Sequence, residues 1–211
     1  MIITHHGVDF VKIQVGDFVL AVNPISKQSK FDTTRFGADL ILVSSNHVDT
    51  NGIELVNGGS KTPFIINGPG EYEIMGNFVH GFLSQTHYGG DEKINTIYNL
   101  MVDGINLCFL GLLDGDLPSE VKAGLGDIDI LFVPIGGNGV LNAMEASKIA
   151  VKLEAKLIIP LHYGAIGDKD ALKVFLEESE ADKAEKLDKL TVKRKDLDGK
   201  DGEVVILTAQ K

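Results

Sequence analysis

The feature that most restricts the fold is a short apolar run, Leu40-Ile41-Leu42-Val43. It is preceded by Asp39 and followed by Ser44-Ser45-Asn46-His47-Val48-Asp49-Thr50-Asn51. A run with no polar position has no wet face, so it reads as a buried strand that opens into a polar loop. Loops beyond the ends of buried parallel strands are where α/β proteins usually build their sites.

The chain changes character once. Up to about residue 110 it reads as strand and turn. Residues 2–4, 10–15 and 18–22 form an opening meander, divided by His6-Gly7 and by the hairpin turn Gly16-Asp17. Asn23-Pro24 ends the third strand, because proline cannot donate to a ladder. Residues 25–38 hold no period and read as loop, and residues 52–59 are weakly helical at best. Residues 64–66 are predicted as another buried strand. The turn Gly68-Pro69-Gly70 leads into strands over 71–74 and 77–83. Strands over 95–103 and 105–110 meet at Asp103-Gly104, a hairpin signal.

The second half alternates strand and helix. A short helix is predicted over 118–125 and a strand over 128–133. Asn142 and Glu145 form a capping-box pattern for a helix reaching about residue 154. Residues 157–159 form a buried strand. Asp168 is placed as the cap of a helix with Ala171, Leu172, Phe175 and Leu176 on one face. Residues 177–186 read as a solvated helix end or loop. The last segment reads as a hairpin, 190–194 with 203–208, turned at Asp198-Gly199. Its Lys193-Arg194-Lys195 cluster is read as a solvated edge that deters strand pairing. Residues 39–43, 128–133 and 156–160 are expected as adjacent strands whose ends carry His47 and His162 to one rim. Periodicity alone gives a mixed α and β chain, and 211 residues suffice for one domain over 1–211.

A net charge of −10 argues against nucleic acid and against an anionic membrane surface as partners. Cys108 is the single cysteine, so no internal disulfide can form, which fits a reducing cytoplasm. It lies in an apolar strand and reads as an inert core residue. The first residues lack the basic start and apolar stretch of a signal peptide, and the expected location is cytoplasmic. The expected partner is a small-molecule substrate or ligand. Sheet edges leave a homo-oligomer open.

The loop after residue 43 resembles the His-x-His-x-Asp-His signature of the metallo-β-lactamase superfamily. His47 and Asp49 match it. Ser45 stands where the first histidine would be, and Thr50 where the last would be. His87, after the middle strand, matches the next family histidine. Leu161-His162-Tyr163, after Pro160, resembles the late Pro-x-His. At Phe109-Leu110-Gly111-Leu112, Leu112 replaces the family's bridging aspartate; Asp114 and Asp116 are near but out of register. Gly7, Asn23-Pro24, Gly70-Glu71 with Gly76, and Pro134-Ile135-Gly136-Gly137 resemble turns of the L-ascorbate-6-phosphate lactonase-like branch. The likeness covers most of residues 1–165.

The resemblance implies an α+β fold, a four-layer αββα sandwich of two mixed sheets. It also implies a hydrolytic site in which two metals about 3.5–4 Å apart share an activated water. One metal would take Ser45, His47 and His87, the other Asp49, Thr50 and His162. Neutral hydroxyls are poor zinc ligands. The expectation is therefore at most one zinc ion, on His47, His87, Asp49 and His162, with Asp49 also orienting the water. Ser45, Thr50 and Leu112 would line the pocket at the lost positions. The activity implied is hydrolysis of an ester, lactone or phosphoester. The alternative is a non-catalytic binding or scaffold protein that keeps the pocket without metal. His5 and His6 point to opposite faces and do not chelate together. His80 reads as structural, and the Gly136–Gly139 stretch as a turn.

Overall fold

The computed structural model describes residues 1–58 and 62–210. Strands β1 (Ile2–His5), β2 (Val11–Val15) and β3 (Phe18–Val22) form the antiparallel meander. Strand β4 (Leu40–Leu42) lies parallel to β3. The weakly helical segment is a single turn, α1 (Ile53–Val56); Gly59, at the end of the expected stretch, lies outside the described residues. Strand β5 (Phe64–Ile66) is parallel to β4 and is the last strand of its sheet. Only Ile66 is buried, and Phe64 and Ile65 are exposed. The expectation of a buried strand there fails because an apolar triplet does not reveal that no strand follows on its far side.

Strands β6 (Gly70–Ile74), β7 (Asn77–Thr86), β8 (Lys93–Val102) and β9 (Ile105–Phe109) form an antiparallel ribbon. Then come α2 (Ser119–Leu125), β10 (Ile130–Pro134), α3 (Ala143–Leu153), β11 (Leu157–Leu161) and α4 (Ala171–Glu178). Strands β9, β10 and β11 run parallel. The capping box of α3 is formed: the Glu145 N–H donates to Asn142 Oδ1, and the Asn142 N–H to Glu145 Oε2, each at 3.0 Å. The residue before α4 is Asp170 rather than Asp168. Asp168 instead accepts a hydrogen bond from Asn138 across the loop after β10.

The C-terminal hairpin does not form. Strand β12 (Glu185–Leu187) begins inside the segment expected to be solvated helix end or loop. Strand β13 (Leu190–Thr191) joins β1 in the first sheet, whereas β14 (Glu203–Leu207) inserts between β11 and β12 in the second. A 3₁₀ turn over Arg194–Leu197 makes the crossing. The basic cluster therefore belongs to this turn rather than to a strand edge: the Arg194 guanidinium donates to the Gly104 carbonyl.

The sheets run β13-β1-β2-β3-β4-β5 and β12-β14-β11-β10-β9-β8-β7-β6. Strand β4 is therefore not beside β10 and β11, as the apolar runs suggested; it pairs with β3 and β5 in the facing sheet. Between the sheets lies the main core, including Ile13, Leu20, Leu40 and Leu42 from one side and Tyr98, Phe109, Phe132 and Ile159 from the other. Helices α2, α3 and α4 cover the outer face of the eight-stranded sheet. The outer face of the six-stranded sheet is covered by α1 and by Ile25, Phe31 and Phe36 of the long β3–β4 loop. The result is an αββα sandwich, thin on one side, with the carboxyl ends of β4, β9, β10 and β11 feeding loops to one rim.

Candidate active-site pocket

The loop after β4 is shaped by backbone-directed side chains. Asn23, with φ at +51°, accepts the Ser44 N–H on its Oδ1 at 2.8 Å. Thr50 is fully buried and donates to the Ser45 carbonyl at 2.8 Å. A hydroxyl at this position closes the loop on itself, where a histidine would project from it. The Asp49 N–H donates to His47 Nδ1 at 3.2 Å. That bond fixes the neutral tautomer of His47, with the proton on Nε2. The Asp49 Oδ2 atom, 3.5 Å from the same Nδ1, is then a neighbour rather than an ion-pair partner. Burial lowers the His47 pKa, against the opposing effect of Asp49 and with help from Lys93 and His162.

Asp49 is buried, and both its oxygens accept hydroxyl protons. Ser29 from the β3–β4 loop donates to Oδ1 at 2.5 Å, and Tyr88 from the β7–β8 connection donates to Oδ2 at 2.6 Å. The Tyr88 ring stands edge-on to both histidines, with centroids 4.6 Å from His47 and 5.0 Å from His162. Burial, then the bond to Asp49 and its charge, push the Tyr88 phenol well above its ordinary value, so it remains a donor.

His162 follows β11 with φ at +59°, an uncommon conformation for a residue with a side chain. It is held there from several sides. Its N–H donates to the Val8 carbonyl at 2.9 Å, and its Nδ1 meets Asp9 Oδ2 at 2.5 Å. Gly136 lies so close that a Cβ there would stand 2.2 Å from the His162 carbonyl oxygen. With the proton on Nδ1, the Nε2 lone pair is fully buried and has no hydrogen-bond partner. A carboxylate behind one nitrogen and a free lone pair on the other is how ligating histidines are commonly held.

The other expected site residues are placed differently. His87 is half exposed, and its Nδ1 meets Asp114 Oδ2 at 2.7 Å. Asp114 thus serves as a partner of His87. Leu112 is fully buried, with its N–H on Asn95 Oδ1 at 2.8 Å. Ser45 is buried, and its hydroxyl has no partner. His5 is buried with its two ring nitrogens near the Leu207 and Val8 carbonyls, and His6 packs on Phe10 and Phe36. Asp9, Ser29 and Tyr88 are the pocket residues that sequence reasoning missed. Asp9 alone carried a signal, as an acidic residue between Val8 and Phe10 in an otherwise apolar strand entry.

These donors do not fit a metal ion as they stand. A catalytic zinc takes three protein ligands and a water. His162 offers a lone pair, but His47 spends Nδ1 on a backbone N–H, Asp49 is engaged by two hydroxyls, and His87 turns to Asp114. Among the described residues, no three His, Cys, Asp or Glu side chains are grouped to hold an ion.

An αββα sandwich with its loop site at the ends of β4, β9, β10 and β11 defines the class. A family profile, the β-lactamase superfamily domain, matches residues 2–162. The chain belongs to the metallo-β-lactamase superfamily. A metal-dependent hydrolase of Anoxybacillus flavithermus is 26% identical over 194 residues, covering 77% of this chain and 86% of that protein. Another, of Lysinibacillus sphaericus, is 29% identical over 196 residues, covering 77% and 85%. A Thermotoga maritima crystal structure, described as a zinc-dependent hydrolase of the superfamily, superposes with a TM-score of 0.74 at 26% identity and covers 98% and 97% of the two chains. A Parabacteroides distasonis structure, at 21% identity and a TM-score of 0.68, shares the fold. The relatives' descriptions imply a metal cofactor for them.

Proposed function

We propose that this chain is a binding protein built on a metal-dependent hydrolase fold, keeping the pocket for a small ligand and not the metal-centred reaction. The observation that carries this reading is the Tyr88 phenol, hydrogen-bonded to Asp49 and packed edge-on against both His47 and His162. The lost ligand positions agree with it: Thr50 and Leu112 are used by the fold. The rim suggests the ligand's polarity. His47 Nε2 and Lys93 Nζ come within 3.0 and 3.3 Å of where a Gly89 Cβ would be. Two donors flanking a residue without a side chain favour a ligand with a carboxylate or phosphate group.

The test is elemental analysis of protein purified without chelator, paired with an assay on an activated ester and titration with inorganic phosphate. Substoichiometric metal, no turnover, and a phosphate-dependent shift of the His47 ring proton resonances, weakened in Lys93→Met, support the proposal. Stoichiometric zinc that is lost in His47→Ala overturns it.

One observation favours a second reading, a mononuclear hydrolase of an ester, lactone or phosphoester. The free Nε2 of His162, with Asp9 behind its ring, is poised as a ligand is in such enzymes. This reading requires Tyr88 to leave the pocket, and the metal measurement separates the two.

A further inference from the structure

The absence of family ligands where Ser45, Thr50 and Leu112 stand does not by itself account for a pocket without a metal. Three donors remain about it, His47, Asp49 and His162, and three with a water are enough for zinc. Two of them already have a chelating separation. His47 Nδ1 and Asp49 Oδ2 are 3.5 Å apart, close to the roughly 3.4 Å between two ligands on one tetrahedral zinc at ordinary bond lengths. The third, His162 Nε2, is fully buried and unpartnered, with its ring against the same Tyr88 side chain. The Tyr88 hydroxyl lies 2.6 Å from the very oxygen that would complete the chelate.

We infer that Tyr88 is the residue that keeps a divalent cation out: its ring and hydroxyl fill the space enclosed by His47, Asp49 and His162. The inference rests on the reading that the wild-type pocket is metal-free, and it assigns the cause to one side chain. The phenol supplies Asp49 with a proton donor in place of a cation. The ring lies edge-on against both imidazoles. A cation entering would displace the hydroxyl from Asp49 and the backbone N–H from His47 Nδ1; with the ring gone, only the second must yield.

The experiment is Co²⁺ titration of the wild type, Tyr88→Phe, Tyr88→Ala and the double variant Tyr88→Ala/His162→Gln, read by visible absorption and calorimetry. Thermal unfolding of each variant checks that it is folded, and Tyr88→Val replaces Tyr88→Ala if the latter is not. Wild type and Tyr88→Phe should show no tetrahedral Co²⁺ bands, because the ring persists in both. Tyr88→Ala should gain them, with affinity raised about tenfold or more, the scale on which single groups act at metal sites. The double variant should lose them. A folded Tyr88→Ala that binds Co²⁺ no better than a metal-free wild type overturns this inference and leaves the proposed function standing. Tight binding by the wild type itself overturns both.

Discussion

Asp9 and His162 are the residues on which the pocket's geometry turns. Both are buried, and the bond between them is 2.5 Å long. Removing the carboxylate leaves a buried N–H without an acceptor and a left-handed backbone with one constraint fewer. Asp9→Ala should therefore lower the unfolding free energy by about 2–3 kcal/mol, as expected for a buried bond to a charged group. Urea unfolding measures it, and a change near zero would mean that water replaces the carboxylate. The same scale governs the response to acid. His5, His6 and His47 all have lowered pKa values, with burial the largest cause in each. The unfolded chain takes up these protons first as pH falls below about 6.5. Stability should be full above that pH and decline from there toward the folded-state values, so the urea midpoint should be lower at pH 5.5 than at 7.5. His5→Gln should reduce the proton uptake on unfolding by about one at most. What the sequence shows of the pocket has the same granularity. His47, Asp49 and His162 are legible through their resemblance to the superfamily's signature after apolar runs. Tyr88 is not, since an aromatic residue between His87 and Gly89 carries no period, and its partner Asp49 is far away in the chain.

Elements with local signals are legible, and those defined by distant partners are not. Gly16 and Gly104 take positive φ in the expected hairpin turns, and Asn142 caps α3 as its pattern requires. Strand β4 reads correctly as buried, but its neighbours do not, because an apolar run does not name the sheet it joins. The long β3–β4 loop is a further case. It holds no period, yet it is fastened at defined points: Ser29 to Asp49, and Ser26 and the Lys27 N–H to Glu54 Oε1. Glu54, on α1, and Asp49 are thus its two carboxylate anchors in these bonds. Ser29→Ala removes one of them while leaving Phe31 and Phe36 packed beneath. Limited trypsin digestion should then cut sooner at Lys27, Lys30 or Arg35 than in the wild type, with little change in the thermal midpoint. Equal digestion rates would show that the Glu54 anchor and the apolar contacts hold the loop without Ser29.

At the scale of the whole molecule, the C-terminal segment ties the two sheets into one cooperative unit. It leaves the first sheet at β13, crosses through the turn at Arg194, and enters the second sheet as β14, paired on both sides by β11 and β12. A hairpin would have needed only its own two strands; this path needs both sheets, which is why local pattern misread it. Four consecutive side chains of β14, Val204 to Leu207, are buried, with Val205 and Leu207 between the sheets and Val204 under the helices. At about 1.5–3 kcal/mol for each buried aliphatic side chain, their burial is worth on the order of 6–12 kcal/mol. A domain's entire stability is about 5–15 kcal/mol. A chain ending at Leu197 should therefore lose its cooperative unfolding transition altogether, because the exposed edge of β11 and the uncovered faces of both sheets cannot be offset by what remains. Circular dichroism during urea titration decides it. A truncated chain that still unfolds in one sharp transition would show that β14 is an addition to a core already complete, and that the pocket at the carboxyl ends of the neighbouring parallel strands does not depend on it.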